Sequence, residues 1–282
     1  MRKLPLFPAV IGLLFFCSCK KSNSAHNNNG SGANSWVSSI TSYSPSDQES
    51  IVDSFAYDSA HRLASYQQFG YDTSGGYAYS ASWSAIFSLP AGSTAPPATY
   101  TNDLTGTQEL HQLSYDAQGR IIKDSSLGTS GWVIYFGYPN NNIAFNAYYD
   151  GTIANSLLDT LFMSNGNISS YHVYLPNNDL TADSLEGNVK AGYSGLANPC
   201  YHSVITSSIG PLIYALAISG YGGNFDAISQ KALNSVSGLV DGLPFNTTVT
   251  YTQVTDSQGR LARESASLGG SSGIITYRYY PQ

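Results

Sequence analysis

The sequence predicts an all-β protein, a long and strongly twisted antiparallel meander of hairpins, and three observations carry that expectation. Only 11% of the 282 residues are charged, well below the roughly 25% of an average soluble domain, while Tyr numbers 22 and Gly 27. Tyr and Thr suit pleated, half-buried surfaces, and Gly, Asn, Asp and Ser supply turns. Short β-branched or aromatic runs recur along the chain: "SIVDSFAYD", "GWVIYFGY", "SSYHVYL", "NTTVTYTQV" and "GIITYRYY". Between them stand turn signals such as "DSAH", "DAQG", "SNGN" and "DSQG".

The first element is an export signal over residues 1–18. Arg2 and Lys3 form a positive start, "LPLFPAVIGLLFF" is an apolar stretch, and "CSC" supplies small residues after it. A membrane-spanning helix needs about 20 apolar residues, and this run is shorter and broken by Pro5 and Pro8. "FFCSCKK" resembles the bacterial lipoprotein signal, in which a small residue precedes the modified cysteine; here Ser18 precedes Cys19. Cys17 competes, but the bulky Phe16 before it fits poorly, and an ordinary secretory signal with a chance cysteine is the plain alternative. The resemblance implies that Cys19 becomes the lipid attachment site and the mature N-terminus, carrying acyl chains of the palmitate type. Several acyl chains, at about 0.8 kcal/mol per buried CH₂, make a stable membrane anchor.

Residues 19–35, "CKKSNSAHNNNGSGANS", read as a flexible tether that cannot bury enough apolar surface to offset its ordering entropy. Lys20, Lys21 and Ser22 lack the acidic signature that marks surface-exported lipoproteins, which favours the periplasmic face of an outer membrane over the cell surface. The chain carries a formal charge of −6, and loss of Arg2 and Lys3 makes the mature form two charges more acidic. With no basic run, it excludes a nucleic-acid partner.

A single domain is expected over 36–282. Its recurring unit is a strand, a D-x-x-G turn, a strand opening with Arg and an aliphatic residue, then a Gly/Ser turn and an aromatic strand. Copies start near residues 55, 113, 161 and 249. In a hairpin loop built on a type I turn, Asp at the first position accepts from backbone N–H groups, and the last position is left-handed. Asp58, Asp116 and Asp256 take the first role; His61, Gly119 and Gly259 take the second, with Gly166 in the Asn-Gly turn of the third copy and Asn167 at its left-handed end. The recurrence beside Arg62, Arg120 and Arg260 is therefore read as backbone geometry and not as a grouped acid and cation.

One region departs from the strand pattern. "SSIGPLIYALAISGYGG" offers Ser208 as N-cap, Pro211 in the first turn, an apolar run and Gly220 as a stop, so a short buried helix is expected near 208–220. "FDAISQKALNSVSGL" is read as a further turn of helix. The expected architecture is a curled meander or half-barrel with the 208–220 helix covering its concave face, resembling lipoprotein-carrier folds; two stacked sheets are the alternative.

The units "YDAQGRI" and "DSQGRL" resemble YD-type repeats. Together with "YSGLANPCYHS", "ISQKALNSVSG" and the lipoprotein signal they are similar to domain-of-unknown-function lipoproteins of the Bacteroidota, with Asn198, Pro199 and Tyr201 at an Asn-Pro-aromatic segment. The resemblance implies an envelope lipoprotein and no particular activity. Tandem YD repeats also build the β-cage of Rhs-type toxins, for which four copies are too few.

Catalytic signatures are missing. The histidines His61, His111, His172 and His202 are scattered, no metal-ligand spacing occurs, and there is no G-x-S-x-G elbow, phosphate loop or HExxH. No cofactor or metal is expected. With Cys17 removed and Cys19 acylated, Cys200 stands alone, so no internal disulfide forms; a small buried apolar residue is a better reading of it than a nucleophile served by His202. The functional expectation is a noncatalytic, membrane-anchored β-domain that binds an unidentified ligand, a glycan or an envelope protein; Trp83, Trp132 and tyrosines are candidates for a sugar-stacking platform, with core packing the expected fate of most of them. The alternative is a glycan-directed envelope hydrolase using two carboxylates brought together from distant strands.

Overall fold

The computed structural model describes residues 36–45, 48–72, 79–104, 106–149, 152–176, 183–200, 208–219, 229, 231–240, 243–268 and 271–280. Cys19, Cys17, the tether, His202 and Gly220 lie outside the described residues.

Seventeen strands are described: β1 (Val37–Ser44), β2 (Glu49–Tyr57), β3 (Leu63–Asp72), β4 (Tyr79–Phe87), β5 (Thr99–Leu104), β6 (Thr107–Tyr115), β7 (Ile121–Ser126), β8 (Val133–Gly137), β9 (Ile143–Tyr149), β10 (Thr152–Ser164), β11 (Asn167–Pro176), β12 (Asp183–Ala197), β13 (Lys231–Val240), β14 (Leu243–Thr250), β15 (Thr252–Thr255), β16 (Leu261–Leu268) and β17 (Ser271–Tyr279). β14 and β15 are two parts of one stave that changes neighbour at Tyr251. Before the break Thr250 opposes Ser235 of β13, and after it Thr252 opposes Ser265 of β16. Sixteen antiparallel staves result.

The sheet closes. β1 pairs β2 on one side and β17 on the other, with Ile40 opposite both Asp53 and Tyr277. The half-barrel and the two stacked sheets expected from sequence are therefore corrected to a single, nearly closed barrel. The physical reason is the edge: a long open meander leaves unpaired N–H and C=O groups along its first and last strands, and joining β1 to β17 removes both. A second correction falls on the stretch read as a turn of helix, since Lys231–Val240 is strand β13, held between β12 and β14.

Alternation decides which side chains face inward. In β2, Ile51, Asp53 and Phe55 are buried while Val52, Ser54 and Ala56 are not. The inward residues of nearly all staves belong to one core, including Tyr66, Tyr100, Leu113, Ile134, Leu161 and Ile275. Because the strands alternate direction, the D-x-x-G turns, the entry of the chain at Trp36 and the connection from β12 to β13 all lie at one end of the barrel.

That last connection carries helix α1 (Gly210–Ser219). Its sequence, GPLIYALAIS, is apolar on every side, the pattern of a helix enclosed by core. Ile209, Leu212, Ile213 and Ala215 are buried within the same core as the inward strand residues, and the helix reaches β7. It thus plugs the turn end of the lumen. Ile213 donates its N–H to the Ile209 carbonyl at 3.0 Å, which makes Ile209, one residue after the expected Ser208, the N-cap.

Candidate functional site

The three D-x-x-G turns share one geometry. Oδ1 of Asp58, Asp116 and Asp256 accepts, at 2.9 Å in every case, from the backbone N–H two residues on (Ala60, Gln118, Gln258) and four residues on (Arg62, Arg120, Arg260). Oδ2 accepts from the Arg Nε at 2.8, 2.7 and 2.7 Å. The fourth residue donates back to the Asp carbonyl from a left-handed conformation, at φ +59° for His61, +76° for Gly119 and +77° for Gly259. Next to each turn the ladder slips by one residue, and the aliphatic after the Arg turns inward: Leu63, Ile121 and Leu261 are all buried. The Asn-Gly copy, third in chain order, differs. Asn165 (φ +50°) and Gly166 (φ +74°) form a two-residue turn, and Asn167 is not left-handed but opens β11.

The arginines are occupied too. Arg120 and Arg260 lie over the Tyr138 and Tyr279 rings at 4.2 Å, and Arg62 donates to the Ser93 and Pro90 carbonyls. The backbone hydrogen bond at Arg62 is the main cause that holds the Asp58 carboxyl below its ordinary range. At Asp116 and Asp256 partial burial pushes upward, but the hydrogen bonds from Arg120 and Arg260 outweigh it. Acid and cation satisfy one another, leaving nothing poised for chemistry.

A second set of polar residues lies inside the barrel, where sequence reading assigned no role. Asp53 accepts on Oδ1 from Tyr66 at 2.6 Å and Gln68 at 3.0 Å, and Gln68 in turn accepts from Trp83 Nε1 at 3.0 Å. Asp124 accepts on Oδ2 from Tyr100 at 2.7 Å, and its Oδ1 lies 2.9 Å from His111 Nδ1. Glu264 accepts from Tyr277 at 2.6 Å and from Gln253 at 2.6 Å. Burial first, then the adjacent carboxylate, raises the phenols of Tyr66, Tyr100 and Tyr277 well above their ordinary value, so all three remain donors. A common spacing was available in the chain. Asp53 and Tyr66, His111 and Asp124, and Glu264 and Tyr277 are each 13 residues apart, straddling or following a turn unit.

These acids do not form an open cleft. Asp53 and Asp124 have no accessible surface and Glu264 only 3%. His111 is a buried partner of Asp124, His61 stacks on Trp36 at 4.9 Å, and His172 packs edge-on to Phe162. The described histidines His61, His111 and His172 thus stand apart, but His111 belongs to a network that its isolation in sequence concealed. Cys200 is buried close to Tyr66, Tyr277 and Tyr279. The tryptophans take the core packing expected for most of the aromatic residues and form no platform. Trp83 is a core residue, because its outward neighbours Ser82 and Ser84 occupy the other face, and Trp132 packs partly buried against the core.

The outer wall has its own pattern. Paired positions Arg278, Ser39, Ser54, Gln67, Ser84, Asp103 and Gln108 make one continuous outward row from β17 through β6. It crosses β2, β3 and β4 near their middles and is polar throughout. Closer to the end opposite the turns, Tyr43, Phe69 and Tyr71 stand outward, each a little over 40% exposed.

The arrangement is a nearly closed antiparallel barrel with a packed lumen plugged at one end and a polar row across its outer wall. No family model and no curated protein matches the chain. Two solved structures are similar. A porin-like protein from Bacteroides uniformis superimposes with a TM-score of 0.51 at 15% identity, over 86% of this chain and 98% of that one. A porin-like protein from Bacteroides vulgatus gives a TM-score of 0.49 at 11% identity, over 88% and 100%. The first of these likenesses concerns the barrel fold.

Proposed function

We propose that this chain is a noncatalytic envelope lipoprotein, tethered through lipid at Cys19, whose barrel stands in water and binds a ligand on its outer wall. The carrying observation is the polar row from Arg278 to Gln108. A barrel that spans a membrane shows lipid an apolar band about 25 Å tall, and a cation at its midplane costs about 2–4 kcal/mol. Ser54, Gln67 and Ser84 put a hydroxyl, an amide and a hydroxyl near the middles of β2, β3 and β4, where such a band would be apolar, while Arg278 and Asp103 continue the row toward the strand ends. The similar Bacteroides uniformis structure is described as porin-like; here, Leu212, Ile213, Tyr66 and Tyr100 are fully buried in the lumen, which supports a packed interior over an aqueous pore. The inaccessibility of Asp53, Asp124 and Glu264 supports a noncatalytic role. The YD-type units and the signal resemblance support membership among Bacteroidota envelope lipoproteins at the periplasmic face of the outer membrane.

Two constructions test the reading. Cys19→Ala in the full chain loses label from a palmitate analogue; label that persists there and disappears only on changing Cys17 moves the anchor. The chain from Lys20 onward, exported behind an ordinary cleavable secretory signal, appears in the soluble fraction. Retention in a carbonate-resistant membrane pellet would show that the barrel itself inserts and would overturn the proposal.

A further inference from the structure

The geometry points to the aromatic face of Tyr43, Phe69 and Tyr71 as a binding site for a neutral glycan. This deepens the proposed function and rests on its claim that the outer wall faces water. The three rings sit in two adjacent outward rows: Tyr43 opposes Ser50, which opposes Tyr71, and Thr41 opposes Val52, which opposes Phe69, which opposes Ser82. Strand spacing puts Tyr43 and Tyr71 about 10 Å apart and Phe69 about 7 Å from Tyr71, so the rings tile one face and are not stacked on each other.

What sets these rings apart is that the protein does not use them. Eight other tyrosine hydroxyls donate to carbonyls or carboxylates of the fold. Tyr43 and Tyr71 have no hydrogen bond, and none of the three rings has an aromatic partner, among the described residues. A ring face left to solvent beside a free hydroxyl matches the two halves of a sugar, its apolar C–H face and its hydroxyl edge.

The border selects the class of ligand. The immediate outward neighbours in those rows are Thr41, Ser50, Val52, Ser82, Ile274 and Thr276, none of them charged; the outward cations Arg263 and Arg278 stand beyond β1, on β16 and β17. Nucleic acid and acidic glycans call for cations, which these positions lack. A protein interface is typically enriched in Arg and Met and depleted of Ser at its centre, the reverse of this border. Tyr43 lies at the end of β1 away from Trp36, so the face is at the end of the barrel opposite the entry of the chain.

The test is native affinity electrophoresis of the full chain, solubilised in mild detergent, through gels containing a neutral β-glucan, starch or mannan, with alginate as the acidic arm. At least one neutral polysaccharide slows the protein and alginate does not. The triple variant Tyr43→Ala, Phe69→Ala, Tyr71→Ala weakens the retardation at least about tenfold, the loss typical of aromatic hot spots. Its thermal melt falls only slightly, because the three rings stand outward of the core and each is a little over 40% exposed. Tyr43→Phe with Tyr71→Phe retains stacking and most of the binding. Failure to retard in every neutral gel, equal retardation of the triple variant, or retardation by alginate alone would each overturn the assignment. Such an outcome is distinct from failure of the tethered-barrel reading, which shows as a barrel that stays in the membrane pellet without Cys19.

Discussion

Replacing Asp53 with asparagine should make the barrel more stable at alkaline pH and flatten its pH dependence. Asp53 is fully buried, its Oδ1 accepts from Tyr66 and Gln68, and its Oδ2 has no hydrogen-bond partner. Burial raises the carboxyl from 3.8 to about 6 in spite of the two hydrogen bonds, which pull the other way. A folded pKa above the unfolded one means that the group's full contribution to stability is present below about pH 4 and is lost as pH rises through about 6. A shift of roughly two units at 1.36 kcal/mol each corresponds to about 3 kcal/mol lost between pH 4 and pH 8. Asparagine keeps an acceptor for Tyr66 and Gln68 and carries no charge at either pH. Asp58, Glu109, Asp116 and Asp256 are shifted downward and act in the opposite sense, so the informative quantity is the difference between variant and wild type at each pH. Urea melts from pH 4.5 to 8 should show that difference growing in favour of Asp53→Asn, to about 3 kcal/mol at the alkaline end. A difference that stays constant with pH, or an asparagine variant less stable than wild type at pH 8, would refute the assignment of a buried, destabilising charge to Asp53.

Two further outcomes are expected. Gly119→Val forces a β-branched residue to φ +76° and should cost about 1–2 kcal/mol or more in a denaturant melt. No atom lies within 4 Å of an added Cβ there, so the cost is conformational, and Gly119→Asn should recover most of it. Tyr277→Phe removes a 2.6 Å hydrogen bond from the buried Glu264 and should destabilise by about 1–3 kcal/mol; an unchanged melting curve would mean that the phenol adds nothing to the stability of that carboxylate.

How much was legible in the chain differs by element for physical reasons. The turns at Asp58, Asp116 and Asp256 could be read because every atom that shapes them lies within five residues: one carboxylate, three backbone N–H groups, one left-handed position. The inward set of β2 could be read because strand alternation puts Ile51, Asp53 and Phe55 on one face whatever the partner strand is. Helix α1 was visible as an apolar run with Pro211 in its first turn, which tolerates a missing N–H. Lys231–Val240 was misread because "KALNSVSGLV" carries neither a clean twofold nor a clean 3.6-residue period, and pairing with β12 and β14 settled it.

The sequence by itself determined the conformation of the turns and the alternation of strands such as β2, since these depend on neighbours a few residues apart. Closure depended on contacts the chain does not advertise. Ile40 meets Tyr277 across almost the whole length of the polypeptide, and only when that pair forms do β1 and β17 stop being edges. The same closure decided the fate of individual side chains. Trp83 and Tyr43 are both aromatic residues on half-buried strands, yet one points into a sealed lumen with its N–H on Gln68 and the other into solvent. Their difference is one of register, and register in a barrel is set jointly by all sixteen staves, because a one-residue slip in any ladder would exchange its inner and outer faces.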